Sequence, residues 1–192
     1  FRRVLFRSIV FPNTNGGSDG YLTYDNNLRQ MSLATGGSER LRIDSAGNLQ
    51  VKTSGAGINF NNSSAVSGQT LNDYEYGTWT PTVSPGGGSL TAYTSFGTYS
   101  KVGRIVTLTF RIILTTPGTA SGGLIWSGAP FTCATTNQQV PFIVREGAAT
   151  GYIYQGWIDS GATSGQMYGT TGGAISWTTG YSYYCTVTYP VA

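Results

Sequence analysis

The 192-residue chain has no histidine. That absence removes the commonest general base, the usual activator of a serine or cysteine nucleophile, and the favourite zinc ligand. Most hydrolase chemistry is thereby disfavoured. Charged residues are also scarce, at 10%, whereas Gly reaches 28 and Tyr 13. Clusters of Ser, Thr and Asn between short apolar runs fit turn-rich β structure far better than helix, so the expected fold class is all-β. No apolar run approaches the roughly 18 residues of a membrane-spanning helix, and a soluble protein with no membrane partner is expected. Two cysteines, Cys133 and Cys185, are too few for a disulfide framework and lie in no short metal-ligand spacing. A single bridge between strands and two buried free thiols both remain open, and the burial habit of Cys favours the thiols.

The formal charge of +3 invites a nucleic-acid partner, but three of the eleven basic residues fall within Phe1-Arg2-Arg3-Val4-Leu5-Phe6-Arg7-Ser8. These eight residues resemble the in-frame translation of a sequencing-library adapter, which implies assembly from environmental reads with the natural start lost. They are set aside from fold reasoning. Without Arg2, Arg3 and Arg7 the chain has eight basic residues against eight acidic ones. The case for a nucleic-acid partner disappears with them.

Residues 9–76 contain short extended segments at Tyr21–Tyr24, Met31–Leu33, Leu41–Ile43, Leu49–Val51 and Ile58–Phe60, separated by Asp-, Asn- and Gly-rich turns. Two connections share a plan in which an Asp opens a polar loop and a Leu restarts the chain: Asp25 to Leu28 and Asp44 to Leu49. Strands this short cannot bury enough surface to offset chain ordering. In a symmetric homotrimer the same side chains can meet around a common axis, so 9–76 is expected to be a hairpin-rich fibrous shaft and linker.

The small polar stretch 61–70 marks a boundary, and residues 77–192 are expected to form a separate tip domain. All four tryptophans and nine of the thirteen tyrosines lie there. Along Ile105–Thr115 the residues Val106, Leu108, Phe110, Ile112 and Leu114 share one face, while Thr107, Thr109, Arg111 and Thr115 share the other with Ile105 and Ile113. The last strand repeats this, with Tyr181, Tyr183, Cys185, Val187 and Tyr189 on one side and Ser182, Tyr184, Thr186 and Thr188 on the other. Further strands are expected at Leu124–Trp126, Gln139–Arg145, Tyr152–Ile158, Gln166–Tyr168 and Ala174–Trp177, around Trp79, and at Ser89–Thr94 and Thr98–Val102. Roughly eight to ten strands with one apolar face suit an antiparallel β-sandwich of jelly-roll type.

Few residue sets could carry chemistry. The tip domain's carboxylates Glu146 and Asp159 are explained by turn formation and solvation rather than by a glycosidase pair. Asp73 and Glu75 straddle Tyr74, where alternation puts both on a wet face. Ser84-Pro85-Gly86-Gly87-Gly88-Ser89 lacks the lysine and helix of a phosphate loop and is expected to be flexible. Asp44-Ser45-Ala46-Gly47-Asn48 is a turn rather than a calcium loop. No cofactor, metal site or catalytic residue is assigned. What remains is an excess of aromatic residues near turns and strand ends: Tyr152, Tyr154, Trp157, Tyr168, Trp177 and Tyr181. Such rings combine apolar area with a polar handle and suit a partly wet glycan ligand, although core packing competes for each of them.

Several runs resemble bacteriophage tail-fibre and tail-spike proteins of environmental phages. They are Glu39-Arg40-Leu41-Arg42-Ile43-Asp44-Ser45-Ala46-Gly47-Asn48-Leu49, Gly57-Ile58-Asn59-Phe60, Leu71-Asn72-Asp73-Tyr74-Glu75-Tyr76-Gly77-Thr78-Trp79-Thr80-Pro81 and Gly97-Thr98-Tyr99-Ser100-Lys101-Val102-Gly103-Arg104-Ile105-Val106-Thr107-Leu108. The resemblance covers most of 37–192. It implies a distal shaft followed by a C-terminal β-domain, a homotrimer in the extracellular tail fibre of a virion. It also implies contact with host surface polysaccharide or lipopolysaccharide, and with other tail proteins through a preceding part. The expected function is non-catalytic, multivalent adhesion. Two alternatives stay open: the trimerising C-terminal fragment of a polysaccharide depolymerase, and a purely structural β-domain without a ligand.

Overall fold

The computed structural model describes residues 8–53, 56–59, 70–71, 73–136 and 138–191. The first seven residues, Phe60, the polar stretch 61–69 and Asn72 lie outside the described set. Sixteen strands and no helix occur among the described residues, so the all-β expectation holds. The chain divides into two compact units between residues 72 and 73.

The first unit is a five-stranded antiparallel meander: β1 (Ser8–Pro12), β2 (Ser18–Asp25), β3 (Gln30–Thr35), β4 (Ser38–Ile43) and β5 (Leu49–Val51). A separate two-stranded ladder joins β6 (Ile58–Asn59) to β7 (Thr70–Leu71). Strand β1 was not anticipated, and Ser8, set aside with the opening residues, pairs with Thr23. The two Asp-led connections close as their shared plan suggests. Asp25 Oδ1 accepts the N–H groups of Asn27 and Leu28 at 2.8 and 3.0 Å. Asp44 Oδ1 accepts those of Ala46 and Asn48, both at 2.9 Å, with Gly47 at φ 87° completing the turn.

Register sorts the meander into two unlike faces. Ile9, Leu22, Leu33, Leu41 and Val51 stand opposite one another in one row across the five strands, and Tyr24, Met31, Ile43 and Leu49 form the next row on the same side. Most of these large side chains are exposed, Leu33 at 40% and Leu49 at 62%. The small residues Ser32 and Ala34, which point the other way, are the buried ones. The face that carries the apolar area is therefore the one this unit leaves uncovered.

The second unit holds β8 (Tyr74–Trp79), β9 (Thr82–Gly87), β10 (Ala92–Val102), β11 (Ile105–Thr116), β12 (Ser121–Ser127), β13 (Val140–Glu146), β14 (Ile153–Ile158), β15 (Ser164–Gly169) and β16 (Ser182–Pro190). All nine are hydrogen-bonded into one antiparallel sheet in the order β8-β10-β11-β16-β13-β14-β15-β12-β9. This sheet is curled into a half-barrel. The chain itself compels the curl: the edge strands β8 and β9 are separated only by Thr80 and Pro81, a link of at most about 10 Å, so the two edges must meet at that corner.

Three local expectations are corrected. The stretch Ser84–Gly87 is strand, not flexible loop. It forms most of β9, where Pro85, which has no N–H to donate, is tolerated because β9 is a sheet edge. Residues 174–177 form no strand; they run as a loop whose Ile175 is buried and donates its N–H to the Gly122 carbonyl at 3.2 Å. The two segments expected at 89–94 and 98–102 merge into β10, with 89–91 left outside.

The interior of the half-barrel is filled by the faces that alternation assigned to it. Val106, Leu108, Phe110, Ile112 and Leu114 of β11 and Tyr183, Cys185, Val187 and Tyr189 of β16 are all buried. Fully buried Trp126 of β12 sits among Phe110, Trp79 and Phe142, with ring centroids 5.0, 5.9 and 6.1 Å away. β12 and β11 are far apart in strand order, so this aromatic cluster is what the curled sheet closes upon. Both cysteines are free and buried, with Cys185 Sγ 3.5 Å from Met167 Sδ. Burial pushes both thiols up from their ordinary titration range.

Candidate functional site

The six aromatic candidates separate into inner and outer sets, because successive residues of a strand point to opposite faces. Tyr154 is an inner residue of β14 and is 5% exposed. Its ring meets Tyr183 edge-on at 5.4 Å, and its hydroxyl donates to Ser176 Oγ at 3.1 Å. Trp177 packs against the core and donates its indole N–H to the Gly122 carbonyl at 3.0 Å. Tyr181 packs on the same core, edge-on to Tyr183 at 6.5 Å. These three therefore serve mainly as packing residues.

Tyr152 is exposed and lies just before β14, so it does not share an alternating strand face with Tyr154 as expected. Its carbonyl accepts the Glu146 N–H at 2.8 Å, which anchors the start of the hairpin. Its side chain lines an open cleft of about 540 Å³ with Ile153, Tyr154, Ser176 and the 169–174 turn.

Trp157 of β14 and Tyr168 of β15 are brought together on the outer face. Their rings stack in parallel, with centroids 5.3 Å apart and planes 6° from parallel. The stack has backbone beneath it: a Cβ placed on Gly123 of β12 would lie 2.5 Å from the Tyr168 ring, so that glycine is what lets the tyrosine lie flat on the sheet. The Tyr168 hydroxyl donates to Gln166 Oε1 at 3.1 Å. Trp157 also lines an open groove of about 730 Å³, together with Gln139, Pro141, Phe142, Ile143 and Gln155. Register explains the grouping, because Pro141 stands opposite Trp157, and Ile143 opposite Gln155, which is in turn opposite Tyr168. A flat aromatic pair beside an apolar groove edged by amides offers stacking area and hydrogen-bonding groups to a polar ring that keeps part of its hydration.

The carboxylates do not join this groove as an acid–base pair. Asp159 Oδ1 accepts a hydrogen bond from Gln139 Nε2 at 2.8 Å, which fixes one amide at the rim. Glu146 is fully buried rather than solvated. Its carboxylate accepts the N–H groups of Ala148 at 2.7 Å, Ala149 at 3.0 Å, Thr150 at 2.7 Å and Ser182 at 3.2 Å, and the Thr150 hydroxyl at 2.9 Å. Burial alone would raise its pKa. The backbone donors outweigh that and hold the group far below the usual carboxylate range. Glu146 caps the 147–150 loop as a carboxylate held by four backbone N–H groups. Asp73 and Glu75 likewise have a structural use: Asp73 pairs with nearly buried Lys101, and Glu75 lies 3.6 Å from the same ammonium.

The sequence pointed to Trp157 and Tyr168 as separate candidates and did not reveal their stacking or the groove residues Gln139, Pro141, Ile143 and Gln155. Alternation within each strand was readable, but the register between strands, which sets neighbours, was not. No family model, curated protein or solved structure matches this chain.

Proposed function

We propose that this chain is the distal part of a bacteriophage tail fibre. It acts as a homotrimer whose C-terminal head, a sandwich-like, jelly-roll-type variant of the curled sheet, attaches without catalysis to host surface polysaccharide or lipopolysaccharide. The observation that carries this reading is the Trp157–Tyr168 stack beside its amide-edged groove on the outer face. Sugar rings present apolar C–H faces and polar edges, and a flat aromatic pair with adjacent amides complements both. Each such site is shallow and open, so single contacts are weak, and tethering several copies on one fibre raises the overall avidity.

The uncovered apolar face of the first unit supports the assembly. Leu22, Leu33, Leu41 and Val51 stand in register with Tyr24, Met31, Ile43 and Leu49 beside them. A contiguous exposed apolar sheet face of this kind marks an association surface. Copies of the same chain around an axis would bury it with the same residues from each subunit.

Retention of the full chain on immobilised bacterial surface polysaccharides tests the adhesive function. Binding by the wild type that falls about tenfold or more in a Trp157→Ala variant of unchanged melting temperature is the expected result. Wild-type binding that is indifferent to Trp157 and Tyr168 would refute this site.

A further inference from the structure

A row of outward side chains crosses the middle of the curled sheet. Phe96 of β10 stands opposite Arg111 of β11, Arg111 opposite Tyr184 of β16, and Tyr184 opposite Arg145 of β13. All four are exposed. Neighbouring strands are about 4.8 Å apart, which places the two arginines on either side of Tyr184 with backbones about 10 Å apart.

Arg111 is held in position. Its guanidinium lies over the Tyr184 ring at 5.0 Å from the centroid, and one Nη donates to Ser182 Oγ at 3.1 Å. The Tyr184 ring is itself seated on backbone, because a Cβ on Gly147 would fall 2.6 Å from it. Ser182 is 1% exposed and its N–H is bound by buried Glu146, so the hydroxyl that orients Arg111 is also fixed.

The charge on this face has one sign. Among the outward residues of β10, β11, β16, β13 and β14, only Arg111 and Arg145 carry charge; the others are Thr, Ser, Gln, Tyr184 and apolar residues, and the Glu146 carboxylate lies buried beneath them on the Ser182 N–H. Among the described residues neither arginine forms an ion pair with a carboxylate; the pairs present are Arg42–Glu39 and Lys101 with Asp73 and Glu75. A pre-positioned guanidinium with no carboxylate partner offers a planar fork of donors matched to a ligand carboxylate.

We infer that this row is a subsite for acidic sugars, in which Arg111 and Arg145 bind successive carboxylates of a uronate-bearing polysaccharide strand. The inference rests on the adhesion reading above and adds the substrate class. Complementary charge is its warrant: both fixed charges on the face are cationic, and a polymer that repeats carboxylates can meet both at once.

The test measures equilibrium binding of the full chain to polygalacturonate, to its fully methyl-esterified form, and to dextran sulfate, in low and high salt. The wild type should bind the free acid about tenfold or more tightly than the ester, and better than dextran sulfate, with a preference that weakens as salt rises. Arg111→Gln together with Arg145→Gln should abolish the preference while leaving the melting temperature and the binding of neutral glycan unchanged. Arg111→Lys should restore only part of it, because an ammonium keeps the charge without the fork. Equal binding of ester and acid, a preference that survives the double substitution, or equal binding of dextran sulfate would overturn the acidic subsite alone. Failure of the wild type to bind any glycan, neutral or acidic, would overturn the adhesion reading along with it.

Discussion

Gly165 of β15 stands opposite Trp126 of β12, and a Cβ on that glycine would lie 2.5 Å from the indole Cζ2. Glycine is therefore required there by the ring beside it. Trp126 is fully buried among Phe110, Trp79 and Phe142 and has no room to retreat. The same arrangement recurs where Gly156 faces Phe142 across β14 and β13. Gly165→Ala is expected to destabilise the second unit by about 1–3 kcal/mol, the usual cost of overpacking, without altering its secondary structure. Urea titration followed by tryptophan fluorescence checks this. A midpoint equal to the wild type would mean that the cluster yields more readily than its packing implies.

Glu146 gives the second unit a specific dependence on acid. Its folded-state pKa is depressed, so the stabilisation is fully present above the ordinary carboxylate pKa of about 4.3 and is lost as pH falls below that value towards the lower folded-state pKa. Glu146→Gln keeps the size but loses the charge, and should lower stability at neutral pH by about 2–3 kcal/mol, the scale of charge-assisted hydrogen bonds. It should also flatten the decline below about pH 4. Unfolding free energies across a pH series measure both effects, and equal slopes for the two proteins would contradict the loop-cap assignment.

Tyr154 and Trp157 lie three residues apart in one strand and should respond oppositely to substitution. Tyr154→Phe removes the bond to Ser176 inside the core, so about 1 kcal/mol of stability should be lost with glycan binding intact. Trp157→Ala should leave stability nearly unchanged and weaken binding. Thermal melts run alongside polysaccharide retention separate these effects, and loss of binding in both variants would show that the outer stack is not the contact.

The all-β class and the inward faces of β11 and β16 were legible because each rests on composition or on alternation within one strand. Val106 to Leu114 could be assigned to the core from period two alone. The single curled sheet was not legible, because strand order depends on long-range pairings such as β11 with β16, and no local pattern encodes them. The misread Ser84–Gly87 segment has a physical cause. Its Pro and glycines signal a loop in isolation, yet an edge strand tolerates Pro85, and a Cβ on Gly86 would press on the Gly123 backbone, 3.2 Å from its N and 3.3 Å from its O. At the candidate site the aromatic residues were visible in the sequence, but their sorting was not. Tyr152 falls just outside β14, so extending the alternation across it misplaced its partnership with Tyr154.

If copies of the chain meet on the apolar face of the first unit, as proposed, charging that face should separate them. Leu33→Lys and Val51→Lys place ammonium groups in the exposed row without disturbing a packed core, since both side chains are 40% or more exposed in a single chain. Small-angle scattering should then report a smaller particle, while the tryptophan signal of the second unit stays unchanged. An unaltered particle size would mean that this face is not where copies meet.

The most direct test is the mass in solution of the full chain, measured by sedimentation equilibrium over a range of concentrations. A homotrimer, about three times the 20.4 kDa of one chain, that dissociates on charging Leu33 and Val51 is the expected result. A single 20.4 kDa species with the first unit fully protected from amide exchange would contradict it.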